Sequence, residues 1–88
     1  MTFAFSGVLL RFTGYQRQVT VEAATLGEAL RALTQQLPAL QPVLYDAEGA
    51  PRAVHRLFLN GEQLPDLDLT RPLVATDRID VLTAIAGG

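Results

Sequence analysis

Cysteine, tryptophan and lysine are all missing from the 88 residues, and histidine occurs once, as His55. Without cysteine there is no disulfide, no thiolate nucleophile, no iron–sulfur ligation and no cysteine-based zinc site, and one histidine cannot make a His-rich metal site. Without lysine there is neither a Schiff base nor a phosphate-loop lysine. All seven basic residues are arginines scattered from Arg11 to Arg78, and a net charge of −2 leaves no basic stripe for a nucleic-acid backbone. The first residues carry no basic targeting region, and no apolar run approaches the roughly 20 residues of a membrane span. The expectation is a soluble protein of a reducing, cytoplasmic compartment, with no nucleic acid, no membrane, no metal and no stably bound cofactor.

What is present is enough for one small folded domain over residues 1–88. Apolar residues make up 49% of the chain and charged ones 18%, a globular composition rather than a disordered one. A chain of this size buries only roughly 60 to 65% of its unfolded surface, so little volume is left for a deep, water-excluded catalytic cavity. That argues against an enzyme.

Phe3 to Phe12 is rich in apolar residues without a helical period and reads as a strand, with Gly7 marking a bulge or a close backbone approach and Thr13-Gly14-Tyr15-Gln16 as the turn into a second strand, Val19 to Glu22. Leu26, Ala29, Leu30, Leu33 and Leu37 then recur on one helical stripe. Thr25 and Glu28 form a capping box at its start, with Glu28 reaching back to the Thr25 amide, and Pro38 closes it. Gln41 to Arg56 reads as a connecting loop with a turn around Asp46 to Gly49. Arg56 to Leu59 is a strand that enters the strongest hairpin signal in the chain, Asn60-Gly61, and Glu62 to Leu64 returns. Pro65 to Asp77 is turn-rich with Leu67, Leu69, Leu73 and Val74 as anchors, and Arg78 to Leu82 alternates as a last strand. The order predicts an α+β domain in which one main helix packs across a mixed sheet, with residues 84–88 as a flexible tail. Four residues beyond Ala84 could hold the Gly88 carboxylate roughly 13 Å clear of the body.

The closing Gly87-Gly88 is the feature with the most chemical meaning. With glycine near 7% of residues, a pair at a given place arises by chance only about 0.5% of the time. Two residues without Cβ atoms fit a narrow channel and accept the dihedral angles it imposes. The plain alternative is a frayed terminus without a role. His55, beside a strand and without an identifiable acid–base partner, reads as a surface or strand-edge residue rather than a catalytic one. Asp66, Asp68, Asp77 and Asp80 lack the spacing of a calcium loop and read as turn and cap residues. Leu57 with Leu59, or Phe3 with Phe5, would form a partner-binding surface if their sheet face is uncovered; at least one of these pairs belongs to the core.

The opening strands, the helix from Thr25-Leu26-Gly27-Glu28-Ala29-Leu30 to Leu37-Pro38, the Leu59-Asn60-Gly61-Glu62 turn, and the close from Asp77-Arg78-Ile79-Asp80-Val81-Leu82 through Ile85-Ala86-Gly87-Gly88 together resemble the MoaD/ThiS family of ubiquitin-like sulfur carriers. The resemblance spans the whole chain and implies a β-grasp fold. It implies that Gly88 is adenylated by an ATP-dependent activating enzyme and converted to a thiocarboxylate with a sulfur donor. A downstream sulfur-accepting synthase of molybdopterin, cysteine or thiamine type then takes the sulfur. Gly87 and Gly88 would thread the partner's active site, and Ala86 and Ile85 would line its entrance. The chain would be a co-substrate rather than an enzyme, or the small subunit of a molybdopterin-synthase-like complex, and ATP would be consumed by the partner. The long Gln41 to Arg56 connection resembles the longer MoaD-like members, including carriers for cysteine synthesis, more than compact thiamine carriers.

Two other readings stand beside this one. A ubiquitin-like modifier would use the same activated Gly88 to acylate a lysine of a target, though a lysine-free chain cannot build polymers on itself. A noncovalent β-grasp adaptor would make no use of Gly88.

Overall fold

Residues 1–50, 55–64 and 68–83 are described by the computed structural model, and among them five strands form one sheet. In chain order these are β1 (Thr2–Phe5), β2 (Gln18–Thr20), β3 (His55–Leu59), β4 (Glu62–Gln63) and β5 (Arg78–Thr83), laid side by side as β2-β1-β5-β3-β4. β1 and β5 run parallel at the centre, and the β1–β2, β3–β5 and β3–β4 pairs are antiparallel. A parallel centre flanked by antiparallel pairs, packed against one main helix, α1 (Leu26–Gln36), is the β-grasp arrangement.

Register assigns the two faces. Phe3 lies opposite Val19 and Ile79, Ile79 opposite Leu59, and Val81 opposite both Phe5 and Leu57. These residues share one face because side chains two apart on a strand point the same way. With Leu26, Ala29, Leu30 and Leu33 of α1 they form the core, in which Phe3, Leu26, Leu33 and Ile79 are wholly buried. The Phe3 and Phe5 rings stack with centroids 6.2 Å apart. Both apolar pairs considered for docking therefore belong to the helix-covered side.

The start of α1 is held from two directions. Thr25 Oγ1 accepts from the Glu28 amide at 3.3 Å, as the capping box requires, but Glu28 Oε2 accepts from the Ala24 amide at 3.0 Å rather than from Thr25. The amides of Leu26 and Gly27 donate to the carbonyls of Arg71 and Leu69, at 2.9 and 2.8 Å. A crossing segment thus supplies acceptors for amides that a helix start leaves open.

Three expectations are corrected. The apolar run from Phe3 does not stay extended to Phe12: it leaves the sheet after Phe5, Gly7 takes a φ of +63°, and Gly7–Phe12 winds as a 3-10 helix that buries Leu9. Gly7 is therefore a turning point and not a bulge. The Gln41 to Arg56 connection, expected as a loop, opens with a short helix α2 (Gln41–Leu44), which follows a 3-10 turn at Pro38–Leu40. Pro38 and Pro42 sit at the starts of these pieces, where a missing amide hydrogen breaks no bond. Of the expected anchors in the Pro65 to Asp77 segment, Leu73 is buried, Leu69 and Val74 are exposed, and Leu67 lies outside the described residues.

The hairpin turn is as expected: Asn60 and Gly61 have φ of 50° and 88°, the two left-handed positions of a type I′ turn. The Asp46 turn also forms, its Oδ1 accepting from the amides of Glu48 and Ala50. Among the described residues no helix is long and apolar enough to cross a membrane.

Candidate functional site

α1 covers one face of the sheet, so the alternate residues of each strand form the other. Ala4 lies opposite Gln18 and Asp80, Asp80 opposite Phe58, Phe58 opposite Gln63, and Arg56 opposite Leu82. Leu82 is 42% exposed, one of several large apolar side chains at the surface among the described residues. Arg78 Nη2 pairs with Asp80 Oδ1 at 3.1 Å. Arg17, Gln18, Arg78, Asp80 and Leu82, with Ala4 at the floor, line an open concavity of about 240 Å³. Three arginines, Arg17, Arg56 and Arg78, thus stand around this face against the carboxylate of Asp80, although the chain as a whole is acidic.

The apolar members of this surface are Phe58 and Leu82, not the Leu57, Leu59, Phe3 and Phe5 named from the sequence. The strand alternation contains the signal, but which of two adjacent apolar residues faces the helix is decided by pairing register. A second, wider concavity of about 500 Å³ lies on the helix side, bordered by Gly27, Arg31, Tyr45 and Leu69. Burial pushes the Tyr45 hydroxyl above its usual range, with the nearby Arg31 opposing.

β5, the strand that carries Leu82, ends at Thr83, and the sequence-predicted site residues Ile85, Ala86, Gly87 and Gly88 follow outside the described residues. At that end of the sheet His55, the first residue of β3, is half-buried and bonded at both ring nitrogens. Its Nδ1 lies 3.0 Å from Thr83 Oγ1 and its Nε2 2.6 Å from the Val43 carbonyl oxygen. The reading as a surface or strand-edge residue holds in that His55 sits at the end of a strand, but α2, unforeseen in the sequence, brings the Val43 carbonyl against its ring.

The aspartates divide. Asp68 accepts from the Thr70 hydroxyl and amide, and Asp77 from the Val74 amide and Asn60 Nδ2, so both serve turns as expected. These donors hold both carboxyls below the usual carboxylate range, the Thr70 hydroxyl being the main cause for Asp68 and the Val74 amide for Asp77. Asp80 is a strand residue in an ion pair, neither turn nor cap, and Asp66 lies outside the described residues. Among the described residues no cluster of three histidine, cysteine or acidic side chains is placed to hold a metal ion.

Comparison with known proteins gives the arrangement a family. No curated protein matches the chain in sequence. The crystal structure of SAMP1, small archaeal modifier protein 1, from Haloferax volcanii superposes with a TM-score of 0.86 at 27% identity, covering 99% of this chain and 97% of that one. A chain of the Amycolatopsis orientalis BexX/CysO complex gives 0.83 at 22% identity over 99% and 98% of the two chains, a likeness of fold. A chain of the complex of subunits 1 and 2 of molybdopterin-converting factor from Helicobacter pylori gives 0.64 at 25% identity over 99% and 96%. The ThiS family matches residues 5–88, nearly the whole sequence and its diglycine end. The chain belongs to the ThiS family, as a ubiquitin-like sulfur carrier or modifier.

Proposed function

We propose that the chain carries sulfur as a thiocarboxylate on Gly88. The observation that carries this reading is the family match running through residue 88, which takes in the Ala-Gly-Gly close a few residues beyond β5. A carboxylate is a poor electrophile until one oxygen becomes a leaving group. In an ATP-dependent activating enzyme the Gly88 carboxylate attacks the α-phosphorus of ATP, pyrophosphate leaves, and an acyl adenylate forms. Hydrosulfide, delivered by a sulfur donor, adds to the carbonyl carbon and AMP departs, so sulfur replaces one terminal oxygen. The carrier supplies no acid, base or metal to these steps, and a sequence without cysteine or lysine suffices. Gly87 and Gly88 thread the partner's channel, Ile85 and Ala86 line its mouth, and the uncovered sheet face with Phe58, Leu82 and its arginines docks the partner. A biosynthetic synthase then accepts the sulfur.

The likeness to a protein called a modifier supports a second use of the same adenylate, in which a lysine amine of a target displaces AMP and an isopeptide bond forms. Intact mass tests both. Protein isolated from its host, or treated with ATP, its activating enzyme and sulfide, is expected to show oxygen-to-sulfur exchange at Gly88, and the Gly88 deletion to show none while remaining folded. A mass unchanged under active adenylating enzyme refutes the carrier. Conjugates to target lysines without thiocarboxylate favour the modifier.

A further inference from the structure

We propose that His55 is a positioning residue for the chemistry at Gly88, because it ties the end of β5 to the α2 segment and so fixes the bearing on which the chain leaves the sheet. The inference rests on the reading of Gly88 as the activated carboxyl. His55 and Thr83 are register partners at the last rung of β3 and β5, on the helix-covered side with Leu57 and Val81. Their side chains bond across that rung at 3.0 Å, and the far ring nitrogen reaches the Val43 carbonyl at 2.6 Å.

The partners settle the proton. A carbonyl oxygen only accepts, so Nε2 must carry the hydrogen, and in the neutral ring Nδ1 is then the acceptor of the Thr83 hydroxyl proton. The acceptor exists because α2 is a single turn: its Gln41 carbonyl takes the Tyr45 amide, while the Val43 carbonyl, at the helix end, has no helical amide ahead of it. The ring therefore joins three segments, β3, β5 and α2, at the strand end five residues before Gly88. A terminus that must enter a narrow channel gains by leaving the domain in one direction. Orientations that miss the channel lower the competent fraction and weaken apparent affinity in proportion, without altering reaction once the carboxylate is seated.

The test uses the full chain with its ATP-dependent activating enzyme, read by pyrophosphate release. His55→Ala, His55→Gln, which can still donate to Val43 but cannot reach Thr83, and Thr83→Val are expected to raise KM for the carrier about fivefold, the scale of one net hydrogen bond, with kcat within about twofold. Thr83→Ser keeps the hydroxyl and is expected to restore the wild-type KM. Two-bond proton–nitrogen correlation spectra are expected to show the neutral His55 ring protonated at Nε2. Adenylation of all variants with wild-type KM, a fall in kcat alone, or protonation at Nδ1 overturns the proposal while leaving Gly88 as the reacting group. Wild-type protein that is never adenylated overturns both. Should His55→Ala fail to fold, the contrast between Thr83→Val and Thr83→Ser decides: equal KM values in those two variants overturn the proposal.

Discussion

The Gly27 amide donates to the Leu69 carbonyl at 2.8 Å, and the two residues stand so close that a Cβ on Gly27 would lie 3.0 Å from that oxygen and 3.2 Å from the Leu69 Cβ. Alanine is the better helix former by about 1 kcal/mol, so propensity alone favours Gly27→Ala. The obstacle is backbone, and moving it lengthens the bond that satisfies the second amide of α1. Gly27→Ala is expected to lose about 1 kcal/mol net and Gly27→Val about 3 kcal/mol, measured by urea unfolding. A stabilised Gly27→Ala would mean that the crossing segment yields freely.

The Thr25 cap is a separable contribution. Thr25→Ala removes the acceptor for the Glu28 amide and is expected to cost about 1 kcal/mol, while Thr25→Ser or Thr25→Asp retains most of that. Glu28→Gln keeps an acceptor for the Ala24 amide and is expected to cost less than Thr25→Ala. Equilibrium unfolding of the four variants ranks them.

The turn aspartates are expected to contribute to the acid limb of stability. Asp68 and Asp77 hold folded-state pKa values below the ordinary carboxylate range, so their hydrogen bonds contribute fully above about pH 4 and are lost as pH falls through the lowered values. Wild type is therefore expected to lose stability below about pH 4 more steeply than Asp68→Asn or Asp77→Asn. The gap between wild type and each variant is expected to narrow as the pH drops, in denaturant titrations from neutrality downward. A gap that widens with acidification would assign these carboxyls the opposite shift.

Legibility follows the range of the deciding interaction. α1 and the Asn60-Gly61 turn are readable because the Leu stripe, the Thr25 cap and the two left-handed positions are each settled within a few residues. The 3-10 helix after β1 is not, since a short apolar run without a period does not tell strand from helix. α2 is hidden by its proline, which signals a break inside a helix and a start at its first turn. Which residues stand on the uncovered face depends on which of Leu57 and Phe58 turns toward α1, and pairing with β5 decides that. The bonds of His55 depend on Val43 and Thr83, 12 and 28 residues away.

The uncovered sheet face yields the sharpest functional prediction. Phe58 and Leu82 lie on the face that α1 leaves uncovered, and a partner docked on that face would bury them. Arg17, Arg56 and Arg78 around them favour a partner surface rich in carboxylates. Leu82→Asp is expected to raise KM for the activating enzyme at least tenfold, by replacing an apolar contact with a carboxylate that faces a carboxylate-rich partner surface. Arg56→Glu is expected to act mainly on the association rate, with an effect that shrinks as salt rises, because a rim charge works through the long-range field. Unfolding stability should stay within about 0.5 kcal/mol of wild type for both, since neither side chain belongs to the core. Wild-type kinetics in both variants, alongside normal thiocarboxylate formation, would place the docking surface elsewhere and turn attention to the helix-side concavity beside Arg31 and Tyr45.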